Sequence, residues 1–409
     1  MNGTFGSRKH PLIRTRKKFL TAICFSLACL VAAVADERII LPAKINGQPV
    51  RLAFDTEMSH TALFRSAAIK LGLEIIDPPR DQELRPGAVK FGRAACRLTL
   101  GSKTQSAEFA VLDSAIGMDC DGALAWSDFR SNIIQIAAEP RAVTFLDKLP
   151  ADAAKWPNWK LRSVPAEDMS SNWLGFEIPR PDGRKAVVFV DTGSDQGLRL
   201  RRTHLKRWVE KNPGAPVTLE AYYCPGFADG LVVAEQFWAG SYELAEGIEL
   251  RELPLSQSPN AEAFAEPDYE ATLCLFALTR VGMIVDGIAG RVYLQPCPSP
   301  KAEYAYNRIG ALFAPHDIRG GDLIARVVKG GPAYEAGVRD GDILMRIGDL
   351  DATKWQTDPR ILPLSRFWSQ PAGTKVNLTC LHQGTNMNLT VELKELFPGA
   401  VSPRKAASH

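Results

Sequence analysis

Two stretches of this chain read alike, and a fold has to accommodate both. The apolar, β-branched run Ala186-Val187-Val188-Phe189-Val190 stops at Asp191-Thr192-Gly193-Ser194. Far upstream, Ile45-Asn46-Gly47-Gln48-Pro49-Val50-Arg51-Leu52-Ala53-Phe54 stops at Asp55-Thr56-Glu57. Each reads as a turn and a buried strand ending in an acid and a small hydroxyl residue. An amphipathic stretch follows each, to Leu73 in the first and from Leu198 to Trp208 in the second. Each then closes with an apolar segment (Asp121–Trp126, Ala271–Phe276) and a hairpin-like pair of strands. Two units of similar order and spacing form an internal repeat, which limits the chain to folds built twice from one plan. A carboxylate at the mouth of a buried strand is costly unless partnered, so Asp55 and Asp191 are candidate functional groups.

The Asp-Thr-Gly pattern at Asp191, with its partner copy at Asp55, resembles the signature of aspartic peptidases of the retropepsin and pepsin kinds. The resemblance implies a mainly β protein with two acid-protease β-barrel lobes in one chain. It implies that Asp55 and Asp191 share one proton, since two like charges that close cannot both ionise. Thr56 and Thr192 would hydrogen-bond across the axis between the lobes, Gly193 would let the backbone pass close to the dyad, and Ser194 would bond the Asp191 carboxylate. Flaps are expected near Pro86-Gly87 and Tyr222–Gly226. Three departures bear on activity. Glu57 stands where the first copy should carry glycine, so a side chain could strain the turn and a third carboxylate would raise the proton affinity of the pair. The segments packing across the Asp loops read Ala123-Leu124-Ala125 and Thr272-Leu273-Cys274, so the expected glycine is missing from both.

Beyond Pro298-Ser299-Pro300, the stretch from Gly321 to Leu344 contains Gly330-Gly331-Pro332-Ala333, Ala336-Gly337 and Gly341-Asp342. It resembles a PDZ domain of the bacterial protease type, an α+β unit over 303–396. Ile361–Trp368 would be its longer helix. Ile309, Gly310, Ala311 and Leu312 would form its carboxylate loop, capturing protein C-termini on backbone amides beside an added strand.

The expected layout is therefore a signal peptide over 1–35, lobe 1 over 36–150, a connection over 151–161, lobe 2 over 162–297, the PDZ domain, and a disordered tail over 397–409. Six Lys/Arg and no acids precede Asp36, followed from Phe19 by an apolar run ending Ala33-Val34-Ala35. That layout predicts export to the periplasm or exterior with cleavage after Ala35; an uncleaved segment would be the one route to a membrane. The rest carries 43 basic against 46 acidic residues, a net charge of −3, with no basic-aromatic stripe, which argues against nucleic acid. No ligand spacing for a metal is present, and no cofactor is expected. Cys96, Cys120, Cys224, Cys274, Cys297 and Cys380 could pair in several ways, with Cys380 read as a buried thiol. The leading functional reading is an aspartic endopeptidase acting on polypeptides. The alternatives are a pseudopeptidase that binds peptide without cutting, and an enzyme active only as a homodimer through Asp191.

Overall fold

Strands β1 (Ile40–Ile45) and β2 (Gln48–Asp55) pair antiparallel through a two-residue turn in which Asn46 and Gly47 both take the left-handed backbone. Such a turn matches the twist of the strands it joins. In the computed structural model, β2 continues into β3 (Ala62–Phe64), α1 (Arg65–Lys70), the long hairpin β4 (Gly92–Leu100) and β5 (Lys103–Leu112), and β6 (Gly122–Ala125). These six strands close a barrel in the order β1-β2-β6-β3-β5-β4. The structure describes residues 38–79, 91–113, 120–162, 172–180, 182–223, 231–258, 268–297, 303–315 and 321–400. The proposed signal peptide, the Pro86-Gly87 flap, Cys224–Gly226 and the 298–300 boundary lie outside them.

A 3-10 turn (Trp126–Phe129) leads from β6 to the hairpin β7 (Ile133–Ala138) and β8 (Arg141–Leu146). After β9 (Asn158–Leu161) the plan starts again: β10 (Gly175–Pro179), β11 (Lys185–Asp191), β12 (Leu198–Leu200) and α2 (Arg202–Lys211). Among the described residues, strand β13 (Val217–Tyr223) has no counterpart in the first copy. The plan then resumes with β14 (Leu231–Ala245), β15 (Ile248–Gln257), β16 (Tyr269–Cys274), α3 (Leu275–Leu278), β17 (Val281–Asp286) and β18 (Arg291–Pro296). The pairing repeats as well as the order. Parallel β2–β6 matches parallel β11–β16, setting Asp55 against Ala125 and Asp191 against Cys274. Antiparallel β3–β6 matches β12–β16, and parallel β3–β5 matches β12–β15.

Among the described residues the second copy does not close into a barrel, which corrects the expectation of two barrels. In the first copy β1 reaches round to β4, whereas β10 pairs instead with β9. The result is a twelve-stranded sheet that also recruits β7 and β8 through β17, with Ile133 opposite Asp286. Residues 133–146 thus belong to the sheet of the second unit, and the expected connection over 151–161 contains a strand. The β10–β11 hairpin is closed at its turn by the Arg180 N–H, which donates to the Arg184 carbonyl at 2.8 Å.

The C-terminal unit is a separate sheet, ordered β19 (Ala311–Ala314), β20 (Ile324–Val327), β21 (Ile343–Ile347), β23 (Lys375–His382), β24 (Thr385–Glu392), with β22 (Leu350–Asp351) on β21. Short helices α4 (Pro332–Glu335) and α5 (Ser365–Trp368) accompany it. The longer helix expected over 361–368 shrinks to its last turn, since Pro363 has no N–H to give a helix interior. Phe397, placed by sequence in a disordered tail, is fully buried and stacks on Tyr306 and Trp238. Cys96, Cys274, Cys297 and Cys380 are free thiols; burial pushes that of Cys380 up to about 12. Among the described residues no helix is long and apolar enough to cross a membrane, and no grouping of side chains could hold a metal ion.

Candidate functional site

The two Asp-Thr loops meet where the repeats join, and they interlock through reciprocal hydrogen bonds. The Thr56 N–H donates to Thr192 Oγ1 at 3.2 Å and the Thr192 N–H donates to Thr56 Oγ1 at 3.0 Å. Each hydroxyl donates in turn to a carbonyl of the other strand, Thr56 to Val190 at 2.5 Å and Thr192 to Phe54 at 2.6 Å. Both threonines are fully buried, so every polar atom in this lattice depends on its partner across the join.

The carboxylates follow the same pseudo-symmetry. Asp55 Oδ1 accepts the Glu57 N–H and Asp191 Oδ1 accepts the Gly193 N–H, both at 3.0 Å. Gly193 lies so close to the opposite acid that a β-carbon there would overlap the Asp55 carboxylate, a requirement for glycine set by space. At the symmetric position Glu57 carries a full side chain without the left-handed backbone that would strain it. Its carboxyl is buried beside Asp191 and lies 3.7 Å from Nη2 of Arg199. That same Nη2 donates to Asp191 Oδ2, while Arg199 Nε donates to Cys274 Sγ at 3.1 Å. Two of the departures from the repeat pattern, Glu57 and Cys274, therefore converge on one buried arginine.

Burial, then the charge of Asp191, raises Asp55 to about 7, with the Glu57 N–H, Arg38 and Arg199 pulling the other way. Burial, then Asp191, holds Glu57 well above the usual carboxylate range. Burial works against the Arg199 charge, but Cys274, Asp191 and Glu57 outweigh it and hold the guanidinium protonated. Fully ionised, three carboxylates and one guanidinium carry the charge of a two-carboxylate pair. Below pH 7 the cluster therefore holds a protonated Asp55 facing an Asp191 paired with Arg199.

The raised Asp55 has a stability consequence. The folded chain holds this proton more tightly than the unfolded chain, so the stabilisation is complete below about pH 3.8 and is lost as pH rises through about 7. Glu57 acts with the same sign. In urea unfolding, the midpoint is expected to fall between pH 4 and pH 8, and Asp55→Asn should make that fall shallower.

Of the residues expected at this site, Asp55, Asp191, Thr56, Thr192 and Gly193 come together. The Ser194 hydroxyl, expected at the Asp191 carboxylate, instead accepts the Gln196 N–H at 3.4 Å; Gly193 and Arg199 already hold the Asp191 oxygens. Ile309, Gly310, Ala311 and Leu312 lie elsewhere, on the edge of the C-terminal sheet. Gly310 takes a left-handed backbone, and Pro332 Cδ would lie 3.2 Å from a β-carbon there. That edge is not open as expected. Leu312 and Ala314 pack against Leu219 and Ala221 of β13, and the Ile309 N–H is already bonded to Asn307 Oδ1 at 3.1 Å. Sequence reasoning missed Arg199. The signal available was an arginine between two leucines in the strand that follows the second Asp-Thr-Gly.

No protein-family model matches this chain, and no curated protein matches it significantly.

Proposed function

We propose that this chain is an exported aspartic endopeptidase with two retropepsin-like lobes, Asp55 and Asp191 as its dyad, and a PDZ domain over 303–396. The observation that carries the reading is the reciprocal Thr56–Thr192 lattice with one carboxylate held above each half. Proton sharing between two acids needs both loops fixed to within tenths of an ångström, and this lattice supplies that rigidity. In the reaction, Asp191 takes a proton from the attacking water while Asp55 gives its own to the oxygen of the scissile carbonyl. Collapse of the tetrahedral intermediate breaks the C–N bond: one of its hydroxyls returns a proton to Asp55, and the proton taken by Asp191 passes to the leaving amine. Arg199 faces the Glu57 carboxyl as well as that of Asp191, which favours a rebuilt centre over a decayed one. The interlocked loops come from one chain, so a second copy is not needed to complete the pair. Residues 1–35 would serve export and be removed after Ala35.

A second reading, peptide binding without cleavage, is favoured by one observation: Arg199 engages the Asp191 oxygen not held by Gly193. The two readings separate in one assay. The mature chain is incubated with an unfolded polypeptide between pH 4 and pH 7, and products are read by mass spectrometry. Cleavage that falls by about 10²–10⁴ in both Asp55→Asn and Asp191→Asn supports the dyad. Binding with no products supports the second reading, and undiminished cleavage by Asp191→Asn rules the mechanism out.

A further inference from the structure

A cleft with about 700 Å³ of atom-free space, part of it open to solvent, lies between the second repeat and the C-terminal unit. One wall is Asp195 and Gln196, directly after the second Asp-Thr-Gly-Ser, together with Glu220 on β13. The opposite wall is Leu312 on β19 with Ser365 and Trp368 on α5. The two units are held in register across it: Thr218 Oγ1 donates to the Asn307 carbonyl at 2.6 Å, and Asn307 Nδ2 donates to the Leu219 carbonyl at 3.0 Å. The cleft is thus a built feature with contributions from both units.

Its polar atoms are left unsatisfied in a chemically uneven way. On the repeat side, Glu220 Oε1 and Gln196 Oε1 are buried acceptors without a hydrogen-bond partner, and Gln196 is only 7% exposed. Glu220 keeps its other oxygen on Gln236 Nε2. On the opposite wall, Trp368 Nε1 is a buried donor without a partner in a side chain 2% exposed, and Ser365 Oγ is likewise unpartnered. A buried group left unmet bears its full desolvation penalty, so a ligand that satisfies these groups is favoured. Arg38 and Arg141 already act on Asp195, and Arg199 is committed to Asp191 and Cys274. Ser256, Gln236 and the Arg199 charge also act on Glu220, but its Oε1 is left without a hydrogen-bond partner.

We propose that this cleft is a subsite for a basic side chain of a polypeptide, its ammonium or guanidinium bonding Glu220 and Gln196 while Trp368 Nε1 and Ser365 Oγ meet a neighbouring peptide group. A terminal carboxylate, the usual cargo of a PDZ edge, is opposed here by Asp195 and Glu220. The proposal builds on the polypeptide reading given above and adds a preference for lysine or arginine, with the C-terminal unit supplying half of the pocket.

The test uses the full mature chain carrying Asp55→Asn, so that binding is read without turnover. Three fluorescein-labelled peptides, identical except for one central lysine, norleucine or glutamate, are titrated by fluorescence anisotropy. The pH is 8, because burial holds the Glu220 proton up to about 7. The lysine peptide is expected to bind at least about tenfold tighter than the norleucine peptide, with glutamate weakest; one charge-assisted hydrogen bond is worth about that factor. Adding Glu220→Gln should erase the lysine preference, and Ala221→Phe, which fills the cleft, should weaken all three. Equal affinities for lysine and norleucine, a preference that survives Glu220→Gln, or no binding of any peptide would each overturn the proposal. A lysine preference in a chain whose wild-type form cuts nothing leaves this subsite standing and removes the peptidase reading. Cleavage without the preference does the reverse.

Discussion

Arg199→Met is expected to destabilise the folded chain by about 3–5 kcal/mol at pH 7, because it strips a buried carboxylate of its cation. Arg199 is 1% exposed and Asp191 fully buried, so water cannot replace the lost partner. Methionine keeps most of the side-chain volume, which limits the packing contribution. Urea unfolding followed by circular dichroism reads the change. The loss should be partly recovered by adding Glu57→Gly, since that removes one of the two carboxyls facing Arg199. A double-mutant cycle with additive effects would mean that Glu57 and Arg199 do not compensate each other.

Thr192→Val should cost about 2–5 kcal/mol, for a reason of hydrogen bonding alone. Valine matches the shape of threonine but leaves the Phe54 carbonyl without its donor and the Thr56 N–H without its acceptor. Each buried group so abandoned costs about 1–3 kcal/mol. The pseudo-symmetry makes a companion prediction: Thr56→Val strands the Val190 carbonyl and the Thr192 N–H and should cost a similar amount. The double variant should lose about the sum, because the two changes strand four different groups. The same urea titrations decide it, and a loss below about 0.5 kcal/mol in either single variant would contradict the lattice as a source of rigidity.

What sequence could reveal was whatever depends on neighbours along the chain. The strand–Asp–Thr units, the Asn46-Gly47 turn and the break near residue 300 are local patterns, and the repeat followed from finding one pattern twice. What it hid depends on neighbours in space. Arg199 between Leu198 and Leu200 reads as the exposed side of an alternating strand. That face is covered because the Asp55–Glu57 loop of the other repeat closes over it, bringing the Glu57 carboxyl to 3.7 Å from Arg199 Nη2. The open second barrel was hidden for a similar reason, since nothing in β10 says that β9 will reach it before β14. The packing of β13 on β19 joins residues nearly a hundred positions apart, and Leu312, read from sequence as part of a carboxylate loop, is covered by Leu219.

Carbon-13 NMR on the chain labelled at aspartate carboxyls most directly tests whether Asp55 and Asp191 form one coupled centre. The account predicts an aspartate titrating near pH 7, absent from the Asp55→Asn spectrum and moved to lower pH in Asp191→Asn, where the neighbouring negative charge is gone. An Asp55 resonance titrating near pH 4, or one near 7 that Asp191→Asn leaves in place, would show two acids that do not sense each other.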